Sequence, residues 1–275
     1  MNTYGLPQLV LWVIVVQLLA FAVLPYLAWM CPKAPDRGYG WSKILGVFTF
    51  SGAAWLCSLC GLTAENNLLI TAIFALLLYL GYRGYRASWL SRQELSAILK
   101  EYARPVEGAF LGLTLFFGII RVLNPEIFWG EKPMDSTFLN FFVRNEQLPP
   151  QDPWAAGSPM SYYYLGIYFM AALIKLTHIP PSVGYNLAMA MLAGWIGAAL
   201  FSLLITLTKS KRFSGYAVWV LLLASNPEVL RLSVLNLFIG KEFNFDTTFW
   251  PSTRVFVSPS FLEYTSWSLL FADLH

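Results

Sequence analysis

Charge is scarce in this chain of 275 residues. Only 12% of the residues are Asp, Glu, Lys or Arg, whereas 57% are hydrophobic and the mean hydropathy is +0.57. This balance excludes a water-soluble globular domain, because such domains carry about 25% charged residues. The sequence also lacks an internal repeat and a low-complexity tract. Composition therefore predicts a membrane protein with ordinary, non-repetitive helices.

Side chains that bind metals or carry redox chemistry are equally few. His178 and His275 are the only histidines, which argues against a zinc site made of His and Cys. Cys57 and Cys60 form a C-x-x-C sequence, but it lies in an apolar run without a nearby His or basic residue to activate a thiol. We therefore interpret these two cysteines as packing residues.

The sequence contains several long apolar runs. The clear candidates for transmembrane helices are 7–30, 44–62, 107–123 and 184–208, with shorter runs at 66–81 and 213–225. Such runs approach or exceed the roughly 20 residues that cross the hydrocarbon core of a bilayer. Backbone groups in lipid must be satisfied internally, which favours helices. We predict an all-α, polytopic transmembrane helical bundle.

Lys and Arg residues cluster in alternate connections, which sets the expected orientation. They lie at 31–43, 82–106 and 209–212, whereas 61–67 has none. If the basic connections are cytoplasmic, the N-terminus and the long segment 124–183 lie outside the cell (plasma or inner) membrane. The net charge of +3 comes mainly from these connections. It therefore gives no case for a nucleic-acid partner.

This orientation requires that the apolar stretch 162–177 does not cross the membrane. The stretch has about 16 residues, begins with three tyrosines and ends at Pro180 and Pro181. Tyrosine rings favour the membrane interface, and the prolines end a helix. We predict a helix lying in the outer interface. A true span is the alternative.

The most informative polar stretch is 124–164. It concentrates acids and aromatic residues in a chain that has few acids: Glu126, Glu131, Asp135, Asp152, Trp129, Trp154, Tyr162, Tyr163 and Tyr164. Long ordered loops on a rigid scaffold commonly carry binding and catalytic residues. Residues 138–144 predict an amphipathic interfacial helix. The prolines around Asp152 predict a rigid turn that fixes its carboxylate.

The spacing of Glu131 and Asp135 leaves two arrangements open. The two acids share a helix face if the helix begins before Pro133, and they need not share one if it begins at Pro133. Carboxylates at a membrane surface serve as general bases, as ligands of Mg²⁺ or Mn²⁺, or in recognising sugar hydroxyls. Asp135 and Asp152 are the candidate metal ligands. The alternative is that acids and prolines only keep an outer loop hydrated and turned.

A second polar segment runs from residue 226 to about 259. Arg254 follows Trp250 closely, and its planar guanidinium suits a phosphate. An interfacial Arg paired with lipid headgroups is the alternative. The apolar run that follows carries Asp273 and His275, and ionisable groups in a membrane-like context predict a functional role.

Four short sequences carry a resemblance to a known family. They are E-K-P-M-D at 131–135, P-P-x-D-P-W-x-A-G at 149–157, S-Y-Y-Y at 161–164 and A-D-L-H at 272–275. They resemble the YYY-signature family of uncharacterised multi-pass membrane proteins, which is grouped with the GT-C glycosyltransferases. The resemblance covers about 107–275. The family pattern continues as D-L-H-P-H, so we expect this chain to be the N-terminal part of a longer protein.

The resemblance implies a GT-C-like membrane domain at 107–275, preceded at 1–106 by transmembrane helices and a basic cytoplasmic loop. It also implies a polyprenyl-phosphate sugar donor and an acidic residue in the first long outer loop. Asp135 is then the first candidate for the general base, with Glu131 and Asp152 as ligand or second carboxylate. The implied substrate-binding residues are Arg254 at the donor phosphate, Tyr162, Tyr163, Tyr164, Trp154, Asp273 and His275.

The leading functional hypothesis is a glycosyltransferase that moves a sugar from a polyprenyl-phosphate donor to an acceptor on the outer membrane face. Its partners are membrane lipid and this donor, and a divalent metal is the one candidate cofactor. A transporter or lipid flippase is the main alternative, and it predicts ionisable residues deep within the spans. A non-catalytic assembly subunit is the third hypothesis, and it predicts that the acids are dispensable.

Overall fold

The computed structural model describes residues 5–62, 67–145, 148–224, 226–242, 245–253, 265–272 and 274. Every regular element in these ranges is helical. The helices are α1 (Leu6–Met30), α2 (Tyr39–Leu59), α3 (Leu68–Arg86), α4 (Arg92–Ile98), α5 (Arg104–Leu123), α6 (Lys132–Arg144), α7 (Leu165–Thr177), α8 (Pro181–Thr208), α9 (Lys211–Leu223), α10 (Pro227–Phe238), α11 (Trp250–Ser252) and α12 (Thr265–Phe271). Short π-helical segments, Leu99–Ala103 and Phe245–Phe249, join α4 to α5 and precede α11. The predicted all-α architecture is confirmed.

Five helical segments in the described ranges are long and apolar enough to cross a membrane. They are α1, α2, α3, the continuous 32-residue helix from Arg92 to Leu123, and α8. Helices α9 and α10 form a further candidate span, bent by 67° between them. The predicted polytopic bundle is therefore confirmed. The predicted division of the chain at residue 106 falls inside the continuous helix and stays a prediction.

Helices α5 and α8 form the centre of the bundle and run antiparallel. Gly194 of α8 faces Phe110 of α5, whereas Ala190 of α8 faces Gly118. A Cβ atom on Gly194 would lie 2.6 Å from the carbonyl oxygen of Phe110, so a larger residue would force the helices apart. Helix α2 packs against both α1 and α8 and completes the core.

The helix termini meet at two ends of the bundle, and we call one of them the loop end. It carries α6, α7 and the described connections 124–131 and 148–164. Trp12, near the start of α1, donates a hydrogen bond to Thr177 of α7 over 3.0 Å. Ser58, near the end of α2, lies 3.3 Å from the hydroxyl oxygen of Tyr168 in α7. The opposite, basic end carries 31–38, α4 and the turn between α8 and α9.

Helix α7 differs from the predicted interfacial helix. Its 13 residues extend about 20 Å, which is too short to cross a hydrocarbon core of about 30 Å. An interfacial helix would keep one face in water, but α7 buries the eight consecutive residues from Ile167 to Ile174. Helices α2, α6 and α8 surround it. Helix α7 is therefore an internal element of the loop end.

Lys43 was expected in the first connection, but the structure places it inside the bundle. It lies in α2 with a fully buried side chain, and its Nζ is 2.7 Å from Oε1 of Glu107 in α5. Glu107 also accepts hydrogen bonds from Tyr39 at 2.6 Å and from Gln17 of α1 at 2.7 Å. The prediction was wrong because the counter-charge that allows Lys43 to be buried is Glu107, which lies 64 residues away in sequence. This ion pair joins α1, α2 and α5.

Candidate active site at the loop end

Helix α6 brings Glu131 and Asp135 onto one face. The chain enters the helix through Trp129 and Gly130, which both have positive φ values of 79° and 66°. Glu131 occupies the N-cap position, and its carbonyl oxygen accepts a hydrogen bond from the Asp135 amide over 3.0 Å. Pro133 lies in the first turn, where its missing N–H has no helical partner to lose. The helix thus begins before Pro133, and the two acids are neighbours.

Asp135 lies on the buried face of α6. Its exposed fraction is 0%, and the residues three, four and seven positions later, Phe138, Leu139 and Phe142, are buried with it. Its Oδ2 atom accepts a hydrogen bond of 3.3 Å from the backbone amide of Leu274. Helix α6 therefore directs this carboxylate into the protein. Burying a charged carboxylate is costly, so this position marks Asp135 as a candidate functional residue.

Two of the three tyrosines of the S-Y-Y-Y sequence, Tyr162 and Tyr164, pack against the buried face of α6. Tyr162 donates a hydrogen bond to Glu131 over 3.2 Å, and its ring stacks on that of Tyr163 with centroids 4.2 Å apart. The ring of Tyr164 packs against Phe142, with centroids 5.2 Å apart. Tyr163 is 61% exposed. The structure thus brings Glu131, Asp135 and the tyrosines together, and their roles in a site stay predictions.

A groove of about 490 Å³ opens beside these residues. Its lining is mostly apolar and aromatic and consists of Trp55, Tyr162, Tyr163, Tyr164, Leu165, Gly166, Ile167 and Leu274. Leu274 connects the groove to Asp135, because its backbone amide is the donor to that carboxylate. The Nε1 atom of Trp55 is buried and has no hydrogen-bond acceptor among the described residues. The groove therefore offers aromatic faces and one unused donor next to a buried acid.

The phenol of Tyr162 remains a hydrogen-bond donor in this environment. Burial raises its pKa above the ordinary value, and the hydrogen bond with Tyr163 and the charges of Asp135 and Glu131 raise it further. The neutral phenol is therefore favoured at physiological pH. Its proton stays available to Glu131 or to a ligand hydroxyl.

Asp152 and Trp154 occupy a separate turn. Oδ1 of Asp152 accepts a hydrogen bond from the Trp154 amide over 2.8 Å, and the Asp152 amide donates to the carbonyl oxygen of Ser158 over 3.0 Å. The Trp154 side chain is 62% exposed. The predicted rigid turn is present, but in the described residues the polar contacts of Asp152 stay within it. The structure does not bring Asp152 or Trp154 to the groove.

Three predicted site residues lie outside the described residues, namely Arg254, Asp273 and His275. Their roles stay predictions. Within the described ranges, no group of three or more His, Cys, Asp or Glu side chains is placed to hold a metal ion. Asp135 and Asp152 therefore do not form part of such a group there, and their role as metal ligands also stays a prediction.

Arg121 is a residue of the loop end that the sequence interpretation missed. It is the last cation of α5 and only 3% exposed. Its Nε donates to Oδ1 of Asn186 in α8 over 2.8 Å, and its Nη2 lies 3.4 Å from the carbonyl oxygen of Glu126. One signal was present in the sequence, because Arg121 is an ionisable residue inside the apolar run 107–123.

A comparison with known protein families assigns the chain to one of them. The family model described as Uncharacterized membrane protein (DUF2298) matches residues 49–275. The chain belongs to the DUF2298 family of membrane proteins. No curated protein and no solved structure matches it.

The DUF2298 match confirms the resemblance to an uncharacterised multi-pass membrane family and widens it. It begins within α2, whereas the resemblance was expected to begin near 107. Asp135 and all the residues that line the groove lie inside the matched range, whereas Lys43 lies outside it. The family description assigns no activity. The likeness to GT-C glycosyltransferases therefore stays a prediction.

Proposed function

We propose that this DUF2298 protein is an integral membrane glycosyltransferase. It transfers a sugar from a polyprenyl-phosphate donor to an acceptor hydroxyl on the outer membrane face. The observation that carries the proposal is the fully buried carboxylate of Asp135 beside a groove lined by the three tyrosines. A buried acid, aromatic rings and an apolar groove together match the needs of a lipid-linked sugar.

In the proposed reaction, Asp135 is the general base. The acceptor hydroxyl oxygen attacks the anomeric carbon of the donor sugar while the bond from that carbon to the phosphate oxygen breaks. The hydroxyl proton moves to the Asp135 carboxylate, and the bonding electron pair leaves with the polyprenyl phosphate. A single displacement of this kind inverts the configuration at the anomeric carbon.

The neighbouring residues position the substrate in this proposal. The exposed ring of Tyr163, stacked on Tyr162, offers a flat face for a sugar ring. The Tyr162 hydroxyl group, held by Glu131, lies beside the acids and can exchange hydrogen bonds with sugar hydroxyls. The apolar wall from Leu165 to Ile167 suits the first isoprene units of the carrier.

Among the described residues, the carboxylates of the loop end form no group of three that would hold a metal ion. A Mg²⁺ or Mn²⁺ site needs several oxygen ligands at one place, and the carboxylate of Asp152 is engaged with its own turn. In the proposed reaction, Asp135 accepts the proton, and no step uses a metal ion.

The orientation is part of the same proposal. The loop end faces the outside of a plasma or inner membrane, and the basic end faces the cytoplasm. The support is the placement of Lys and Arg residues, since 82–106 and 209–212 lie at the basic end and the described part of 124–164 lies at the loop end. A lipid-linked donor presented on the outer face would then enter from the bilayer beside α2 and α7.

One observation favours the alternative of a transporter or flippase. Lys43 and Glu107 are ionisable residues within predicted membrane-crossing helices, and such residues often mark a transport path. However, both are engaged, since Glu107 accepts from Lys43, Tyr39 and Gln17. A fully bonded pair that joins three helices is better suited to holding the bundle together. The acids of the loop end favour surface chemistry.

The experiment that tests the proposed function measures sugar transfer in membranes that contain the full chain. A panel of polyprenyl-phosphate sugars serves as donor, and we expect transfer to be lost in Asp135→Asn. The matched control is Glu228→Gln, because Glu228 is an acid at the start of α10 that pairs with Arg231 away from the groove. Absence of transfer by the wild type from every donor would reject the enzyme and favour a transporter or assembly subunit.

A further inference from the structure

Arg121 carries a buried charge that the described protein does not neutralise. The guanidinium stays protonated at any physiological pH, and the side chain is only 3% exposed. Its two hydrogen-bond acceptors are neutral, namely the amide oxygen of Asn186 and the backbone carbonyl oxygen of Glu126. Among the described residues, no carboxylate oxygen lies within ion-pair distance of Arg121. A buried charge of this kind is costly unless a counter-charge joins it.

The surroundings hold the guanidinium in place without covering all of its donors. Asn186 is fixed by hydrogen bonds from its Nδ2 to the carbonyl oxygens of Pro125 at 3.0 Å and Ser182 at 3.2 Å, so its Oδ1 presents a fixed acceptor to Arg121 Nε. The Nη1 atom of Arg121 makes no hydrogen bond within the described ranges. The nearest acid in sequence, Glu126, is exposed and offers its carbonyl oxygen instead of its carboxylate. The site is thus oriented, and no carboxylate among the described residues pairs with it.

A series of contacts leads from Arg121 towards the groove. Its partner Asn186 directly follows the fully buried Tyr185, whose hydroxyl donates to the carbonyl oxygen of Ala272 over 2.8 Å. Two residues further, the Leu274 amide donates to Asp135, and Leu274 itself lines the groove. Ala272 and Leu274 are two residues apart in sequence, so these two contacts bring Tyr185 and Asp135 to the same part of the chain.

We propose that Arg121 binds the phosphate group of a lipid-linked substrate. A guanidinium suits phosphate because its N–H groups lie in one plane and match the spacing of two phosphate oxygens. In naming this phosphate as that of the sugar donor, the inference rests on the proposed function. Arg121 supplies a charge-assisted hydrogen bond, and the groove takes the apolar chain. Arg121 thereby neutralises the developing charge of the leaving phosphate.

The test measures binding of farnesyl phosphate, farnesol and inorganic phosphate to the full chain in detergent. We expect the wild type to bind farnesyl phosphate at least about tenfold more tightly than either other probe, as a charge-assisted hydrogen bond joined to apolar burial implies. Equal affinity for farnesol would contradict phosphate recognition. Equal affinity for inorganic phosphate would contradict a lipid-linked source.

Variants of Arg121 assign the binding to this residue. Arg121→Gln should weaken farnesyl phosphate binding by about tenfold or more, and Arg144→Gln, an exposed Arg at the end of α6, should leave it unchanged. If Arg121→Gln does not fold, Arg121→Lys replaces it, because this variant keeps the charge but loses the planar fork. Unchanged affinity in a folded Arg121 variant overturns the inference.

The outcomes separate this inference from the proposed function. Phosphate binding that depends on Arg121, in a protein that transfers no sugar, would retain the anion site and reject the glycosyltransferase. Sugar transfer that depends on Asp135, with farnesyl phosphate binding indifferent to Arg121, would reject the anion site alone.

Discussion

Replacing Glu107 with Gln isolates a positive charge in the interior of the bundle. In the wild type, Lys43 has a fully buried side chain and lies 2.7 Å from Glu107. In Glu107→Gln, Lys43 would keep the amide oxygen of Gln17 at 3.3 Å and the ring of Tyr39 at 4.4 Å. No described carboxylate would then lie within ion-pair distance, and the buried Asp36 would act on Lys43 only from further away. Neutral acceptors compensate a buried ammonium only in part.

The expected loss follows from this geometry. Removing one member of a buried ion pair costs about 3–5 kcal/mol, because the other charge stays buried without compensation. Lys43→Met should cost less than Glu107→Gln. Glu107 would still accept from Tyr39 and Gln17, and its side chain is 22% exposed. The double variant Lys43→Met/Glu107→Gln should lose less than the sum of the two single losses, because it buries no unpaired charge.

The assay is the free energy of unfolding in mixed detergent micelles, followed by circular dichroism. Glu101→Gln is the matched control, since Glu101 pairs with Lys211 at 2.9 Å but both side chains are exposed to solvent. We expect no measurable change for this control. A loss below about 0.5 kcal/mol for Glu107→Gln, within the range of ordinary surface substitutions, would refute the reasoning. Strict additivity in the double variant would refute it as well.

Two further predictions concern the loop end. Because burial raises the pKa of Tyr162 above the ordinary phenol value, its contribution to stability is present below about pH 10 and lost as the pH rises further. Between about pH 10 and pH 12, the free energy of unfolding should therefore decrease less for Tyr162→Phe than for the wild type. An equal decrease in the two proteins would contradict the raised pKa of Tyr162. In a cysteine-free background, Ser158→Cys should react with a membrane-impermeant maleimide added to intact cells, whereas Ser210→Cys should not. The reverse pattern would overturn the proposed orientation.

The helices were predictable from sequence because membrane burial depends on local composition. Every predicted apolar run corresponds to a helix in the structure. The start of α2 was predicted too late in the sequence. Lys43 follows two other basic residues and was therefore assigned to the connection, because its partner Glu107 is distant in sequence. Helix α7 was misread for a related reason. Its apolar residues pack against other helices, and the sequence does not distinguish burial in protein from burial in lipid.

The candidate site was predictable only in part. Glu131, Asp135 and the tyrosines were singled out by their types, and the structure unites them because α6 starts early enough to align the two acids. Asp152 was singled out because the prolines around it predict a rigid turn. The carboxylate of Asp152 itself accepts a hydrogen bond within that turn, so it is not directed to the groove. Arg121 escaped notice because its burial depends on Asn186, which lies 65 positions later. A contact between distant residues decided the outcome for Arg121, whereas a local turn and the start of α6 decided those for Asp152 and the two aligned acids.

The ratio of the sugar-transfer rates of Asp135→Asn and the wild type tests most directly whether Asp135 is the general base. Both would be measured at saturating polyprenyl-phosphate donor, with equal amounts of folded protein in the membrane. Loss of a general base predicts a decrease of about 10²–10⁴-fold in the Asp135→Asn rate, because the variant keeps the shape of the site but cannot accept the proton. A ratio near one, in a wild type that does transfer sugar, would contradict the assignment of Asp135 as the base.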